Sequence, residues 1–227
     1  MNILENKIDE ILKSLHESPW KKHSSDYHKT YLTECLRHVN LNGLWMEFGV
    51  YRGRSLSFIA SQTKNLVYGF DSFEGLHERW DANNPKWVYS LNGKIPDGAI
   101  DGSNDENPGM FDSSPTKKIK PWASNIRLVK GYFEDSMPKF LEEHTDNVAF
   151  MNIDSDLYSS AKTVLTQLID RIVPGTIICF DEICDYPDYR NHEIKAFAEF
   201  LLDTGFNYKC LAYQPSTYSQ GCFMIKE

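Results

Sequence analysis

The sequence has no apolar run approaching the roughly 20 residues needed to cross a bilayer, so no membrane partner is expected. It is short of basic residues: Lys and Arg total 24 against 32 Asp and Glu, a net charge of −8. An acidic surface repels a phosphate backbone, which excludes nucleic acid as the expected partner. Cysteine is scarce and odd in number, with Cys35, Cys179, Cys184, Cys210 and Cys222 scattered along the chain. No disulfide framework follows from that pattern, and the thiols are read as reduced and mostly buried. Cys179 and Cys184 are neighbours in sequence, but their spacing is wrong for a zinc knuckle. The first residues, "MNILENKIDEILKSLHESPW", lack the uninterrupted apolar core of a secretion signal, so the expected compartment is cytoplasmic. There is no internal repeat and no low-complexity tract.

What is present fits one large soluble domain: 227 residues, 41% hydrophobic and 25% charged. Ile3, Ile8, Ile11, Leu12 and Leu15 have helical spacing and predict a helix over 2–17, followed by a second over 26–39. This amphipathic first helix buries its apolar face either on its own domain or on a second copy, so a homodimer is kept open. From residue 42 strands and helices alternate. Strands are predicted at 44–50, 65–71, 125–131, 147–153 and 175–181. Helices are predicted at 53–62, 135–144, 157–172 and 191–205, the last closed by Gly205. This rhythm implies parallel βαβ units in a doubly wound α/β sheet, and the strands are apolar enough to be covered on both faces. The final strands, "NYKCLAY" and "QGCFMIK", have no helix between them and predict an antiparallel hairpin. The expected organisation is N-terminal helices over 1–41 and one domain over 42–227.

Residues 76–122 break the rhythm. The segment is rich in Gly, Pro, Asn and Asp, and a loop that long in a compact domain is usually a functional lid or a disordered piece. Trp80, Trp87, Tyr89, Phe111 and Trp122 argue against pure disorder. The expectation is an insertion, mobile between about 83 and 114 without ligand, that orders over a bound molecule.

Four features carry chemistry. Gly49 and Gly53 lie in a strand-to-helix turn, where glycine permits close backbone approach and the helix start offers free N–H groups. A full G-x-G-x-x-G is absent; only G-x-x-x-G is present. Asp71 ends the second strand about 20 residues beyond Gly49, where an acid accepts from ribose hydroxyls or caps a helix. The runs "NVAFMNIDSD" and "GTIICFDE" both end in acids. In a doubly wound sheet all parallel strands point their carboxyl ends at one edge, so Asp154, Asp156, Asp181 and Glu182 converge there. Clustered carboxylates repel one another unless a cation or shared protons compensate, and oxygen-only ligation suits Mg²⁺. The alternative is that Asp154 and Asp156 cap the next helix while the other pair faces solvent. His192 and His144 are candidate bases; His192 lies just beyond the fifth strand, where a surface or capping histidine is the alternative.

Together, "WMEFGVYRGRSLSFIA", "VYGFDSFEGL", "RLVKGYFEDSMPKFL", "NIDSDLYSSAKTVL" and "PGTIICFDE" resemble the macrocin-type O-methyltransferases, class I S-adenosylmethionine (SAM) enzymes that methylate sugar hydroxyls. The resemblance implies a Rossmann-like sheet of seven strands in the order 3-2-1-4-5-7-6, with strand seven antiparallel. It implies that Glu47, Gly49, Tyr51, Gly53 and Ser55 surround the methionine part of SAM. Asp71 and Ser72 would serve the ribose, and Gly131, Tyr132 and Phe133 would lie near the adenine. Asp154, Asp181 and Glu182 map to a divalent-cation site, with Glu182 standing where the family usually has Asp.

The expected activity is methyl transfer from SAM to a hydroxyl of a sugar, glycoside or other small molecule, assisted by Mg²⁺ or another divalent cation, with Asp154 or His192 taking the proton. A nicotinamide-dependent oxidoreductase would need a better phosphate-binding glycine motif and a hydride-transfer constellation. A non-catalytic SAM-binding partner protein would not need the carboxylates.

Overall fold

A computed structural model describes residues 2–23, 27–80, 85–100 and 119–227. The chain opens with α1 (Ile3–His16) and α2 (Tyr27–Leu36). It continues through β1 (Leu44–Phe48), α3 (Arg54–Ser61), β2 (Val67–Asp71), β3 (Gly98–Ile100), β4 (Ile119–Pro121) and β5 (Ile126–Lys130). The second half is α4 (Phe133–Glu143), β6 (Val148–Ile153), α5 (Tyr158–Gln167), β7 (Ile177–Cys184), α6 (Glu193–Thr204), β8 (Asn207–Gln214) and β9 (Ser219–Lys226). The main sheet has the order β5-β2-β1-β6-β7-β9-β8; β9 pairs antiparallel with both β7 and β8. Counted within this sheet alone, that is the order 3-2-1-4-5-7-6 the resemblance implied. β3 and β4 form a separate antiparallel ribbon inside the 76–122 insertion, which the weak periodicity there did not predict.

Alternation along each strand sorts the core into two layers, because successive side chains point to opposite faces. Met46, Phe48, Ile178, Phe180 and Phe223 pack under α1, α4, α5 and α6. Trp45, Ile177, Cys179 and Cys222 pack under α2 and α3. Cys179 and Cys184 therefore lie in different layers and do not form a shared site. Cys179 instead meets Cys35 and Cys222, their sulfurs within 4.8 Å of one another. All the cysteines are free and buried, as expected.

Helix α1 buries Ile8, Ile11 and Leu15 within its own chain, against α6 and β8, while Ile3 stays exposed. Asn2 caps it by accepting the Leu4 N–H at 3.2 Å. Gly205 closes α6 in the left-handed conformation predicted for it, its N–H donating to the Leu201 carbonyl. No helix among the described residues is long and apolar enough to cross a membrane.

The strand ends differ from expectation in one respect that matters for the site. β7 does not stop at Asp181 but runs on to Cys184, because Cys184 pairs with Ser219 of β9 after a register irregularity. Asp185 then accepts from Ser219 Oγ and Tyr213 Oη, each at 2.6 Å, which ties the end of β7 to the terminal hairpin. Half of the stretch expected to be mobile, 83–114, lies outside the described residues, as does Phe111.

Truncating Ile11 to Ala removes a fully buried side chain from the α1–α6 contact. Urea unfolding should show a loss of about 2–5 kcal/mol; an unchanged midpoint would mean that α1 adds nothing to the stability of the sheet.

Candidate active site

The centre of the carboxyl edge is set by register. Glu47 of β1 pairs with Asn152 of β6, Phe48 with Ile153, and Ile153 in turn with Phe180 of β7. One step further along, Gly49, Asp154 and Asp181 come side by side. Gly49 has φ +95°, and a Cβ there would lie 1.7 Å from the Asp154 carbonyl oxygen. The glycine is thus required by the closeness of two strand ends, not only by a ligand. At Gly53, φ +74°, the space of a Cβ is taken by the Trp122 indole, 2.2 Å away.

Asp154, Asp181 and Glu182 each offer an oxygen within 4.8 Å of the others. Asp181 is buried, and Asp154 and Glu182 are half-buried. Burial first, and then the charge of Asp181, raises the pKa of both Asp154 and Glu182. Gln220 of β9 donates its amide to Asp181 Oδ1. Glu182 Oε2 is buried and has no hydrogen-bond partner among the described residues. An oxygen-only donor set with an orphaned carboxylate oxygen fits a hard divalent cation. Asp156 precedes α5 with φ +63°, but the N-cap position belongs to Leu157. The alternative in which Asp156 is the N-cap of the next helix therefore does not hold.

Glu47 is fully buried. It accepts from Asn152 Nδ2 at 3.0 Å, while its Oε2 and the Asn152 Oδ1 find no partner among the described residues. Burial lifts its pKa to about 8, against the smaller opposing effects of Asn152 and Ser55.

Asp71 plays a part that neither sequence reading named. Its Oδ2 accepts the N–H groups of Val50 at 2.8 Å and Tyr51 at 2.7 Å, and its Oδ1 accepts that of Phe73 at 2.6 Å. The carboxylate staples the turn after β1 to the end of β2. A carboxylate has about four acceptor sites, so capacity for a further donor remains. Ser72 Oγ accepts the Glu74 N–H at 3.0 Å. Gly131, φ +139°, donates to the Asp71 carbonyl at 3.0 Å, and Tyr132 follows as the N-cap of α4. Phe133 packs edge-on against Phe48 at 5.5 Å, inside the core layer.

The histidines separate. His144 ends α4 stacked on Phe140 at 4.1 Å and beside Tyr68, near the start of β2. A helix that returns antiparallel to its strand ends at the opposite edge of the sheet, so His144 is not at the carboxylates. His192 is buried at the start of α6, 5.9 Å from the Tyr186 ring.

Two groups escaped the sequence reading. Glu193, the first residue of α6, is fully buried and accepts the Ser155 N–H at 3.3 Å. Its periodicity is that of an ordinary first-turn acid, so nothing local marked it. Tyr89 was noted only as an aromatic of the insertion. Its ring meets Tyr51 at 5.4 Å; burial, then the charges of Asp156, Glu182 and Asp154, push its phenol up, so it stays a donor. Trp80 packs on Tyr186 at 5.6 Å and Tyr218 at 5.3 Å, and Trp122 donates to the Pro96 carbonyl at 2.9 Å. The described parts of the insertion are therefore anchored around the glycine turn and the carboxylates.

The profile of the macrocin-O-methyltransferase (TylF) family matches residues 29–200. A curated relative, the 8-demethyl-8-(2,3-dimethoxy-alpha-L-rhamnosyl)-tetracenomycin-C 4'-O-methyltransferase of Streptomyces olivaceus, is 26% identical over 164 residues. That match takes in 67% of this chain and 57% of the relative's length. Similar solved structures include the calicheamicin methyltransferase CalS11, with TM-score 0.58 and 20% identity over 97% of this chain and 91% of that one. The O-methyltransferase NovP has TM-score 0.56 and 17% identity over 99% and 98%. An O-methyltransferase from Bacillus cereus in complex with S-adenosylhomocysteine has TM-score 0.52 and 15% identity over 98% and 91%. At these identities the structures establish the fold.

Two outcomes follow from the geometry. Asp71→Ala strands the Val50, Tyr51 and Phe73 N–H groups and should lower unfolding free energy by about 1–3 kcal/mol or more; a thermal melt equal to wild type would remove the staple role. The second concerns pH. An acid whose pKa rises on folding contributes stability fully below its unfolded value, 4.5 for Glu47, and loses it as pH rises through about 8. In chelator, the melting temperature should fall over that interval, and Glu47→Gln should flatten the decline.

Proposed function

The chain belongs to the macrocin-O-methyltransferase (TylF) family, and on that premise we propose that it is a SAM-dependent O-methyltransferase acting on a hydroxyl of a sugar, glycoside or other small molecule with the help of a divalent cation. The observation that carries the cation half is the convergence of Asp154, Asp181 and Glu182 to within 4.8 Å. These three would hold the ion. When bound, it would lower the pKa of an acceptor hydroxyl and orient the oxygen.

The methyl donor has its own fit. Glu47 Oε2 and Asn152 Oδ1 are buried acceptors lacking a partner among the described residues, suited to the ammonium of a bound amino acid. Gly49, Tyr51, Gly53 and Ser55 would surround the methionine part on the turn that Asp71 staples, and the remaining acceptor capacity of Asp71, with Ser72, would serve the ribose. Gly131, Tyr132 and Phe133 form the adenine side. When bound, SAM would supply an electrophilic methyl on a cationic sulfur, and the product is S-adenosylhomocysteine.

The protein's own contribution is alignment, proton removal and exclusion of water. Asp154, placed closest to the reacting hydroxyl, receives the acceptor proton. His192 is the alternative base. Tyr89, Trp80 and Trp122 bring the described parts of the 76–122 insertion over the site as its cover, with 1–41 as a helical preface to the transferase domain at 42–227. A partner that only bound SAM would not require buried, mutually repelling carboxylates.

The test is a screen of nucleotide sugars, glycosides and catechols with SAM, reading S-adenosylhomocysteine release. Chelator should abolish turnover, and Mg²⁺ should restore it. Asp154→Asn should lower turnover by about 10²–10⁴-fold while SAM affinity by calorimetry holds. Full-rate methylation by chelator-treated protein would end the cation half of the reading, leaving Asp154 or His192 as a simple base.

A further inference from the structure

Glu193 comes from a third element, α6, yet its carboxyl lies between the two strand ends that carry the acids. Oε1 accepts the N–H of Ser155, the residue between Asp154 and Asp156, at 3.3 Å. Burial first, and then the charge of Asp156, hold the Glu193 carboxyl well above the usual carboxylate range, against the smaller opposing effects of the Ser155 N–H and, on the other side, the Glu182 N–H. Oε2 is buried without a hydrogen-bond partner among the described residues, and the side chain is 0% exposed. Asp156 and Asp181 are the charges that face it. A buried anion among like charges is destabilising unless a cation uses that charge. A first-turn acid also complements the helix dipole, but a solvent-facing position would do that without the repulsion.

We propose that Glu193 is a positioning residue of the divalent-cation site: it braces the Asp154–Asp156 turn against Asp181 and Glu182, and its charge helps to retain the ion. This rests on the cation reading of Asp154, Asp181 and Glu182 given above. Glu193 itself need not touch the ion. Groups that orient metal ligands from behind influence affinity nearly as strongly as the ligands.

The test uses Mn²⁺ alone as the probe, with free ion counted by electron paramagnetic resonance on the full chain. Glu193→Gln keeps an oxygen for the Ser155 N–H and removes only the charge. It should weaken Mn²⁺ binding by about 10- to 100-fold, while its melting temperature in chelator is no lower than that of wild type. Glu193→Asp, which keeps the charge, should bind Mn²⁺ more tightly than Glu193→Gln. Wild-type affinity in Glu193→Gln, or the reverse order of the two variants, would overturn the proposal and leave Glu193 as a helix-start residue. No Mn²⁺ binding by wild type would overturn the cation reading itself, and this inference with it.

Discussion

Mutual repulsion among buried and half-buried carboxylates is the constraint around which this molecule is arranged. Glu47, Asp154, Asp181, Glu182 and Glu193 sit at or near one sheet edge, and burial is the largest cause of a raised pKa at Glu47, Asp154, Glu182 and Glu193. No local preference would bring such groups together. They are held by the parallel register of β1, β6 and β7, and that register is held by two apolar layers of aromatic and branched side chains. The hydrophobic effect acts over the whole sheet, so it can sustain a costly arrangement at one edge.

The hydrogen bonds that reach the acids are arranged to orient them. Asn152 holds Glu47, Gln220 holds Asp181, and the Ser155 N–H reaches Glu193. Amide donors fix direction without cancelling a full charge. Burial favours the protonated acids, and a cation arriving among them would favour the charged ones. Asp71 stands apart from this group: its oxygens are directed to the backbone of the neighbouring turn, so the turn keeps its shape before any ligand arrives.

The described parts of the insertion complete the same edge from the outside. Trp122 occupies the space over Gly53, Tyr89 reaches from Tyr51 toward the acids, and Trp80 packs against the stacked Tyr186–Tyr218 pair. Aromatic anchors spread over the described parts of the segment give them docking points on the domain. They explain why its described parts lie against the site.

Much of this was legible in the chain itself. Alternating apolar runs announced the doubly wound sheet, the lack of a helix before the last strand announced the antiparallel hairpin, and acids at the ends of two apolar runs announced the carboxylate edge. Each is a local signal, because strand burial and strand ends are written in consecutive residues. Other features are contacts between residues far apart in sequence, and no period reports those. Glu193 reads as a helix-start acid, Gln220 as a strand polar residue and Asp71 as a ribose ligand or cap; only packing gives them Ser155, Asp181 and the Val50–Tyr51 backbone as partners. The extension of β7 past Asp181 depends on pairing with Ser219, and the exclusion of His144 depends on the direction in which α4 returns. The sequence determined which faces are apolar and where strands stop being so. The tertiary structure decided which polar groups then meet, because that depends on register and crossover geometry summed over the whole sheet.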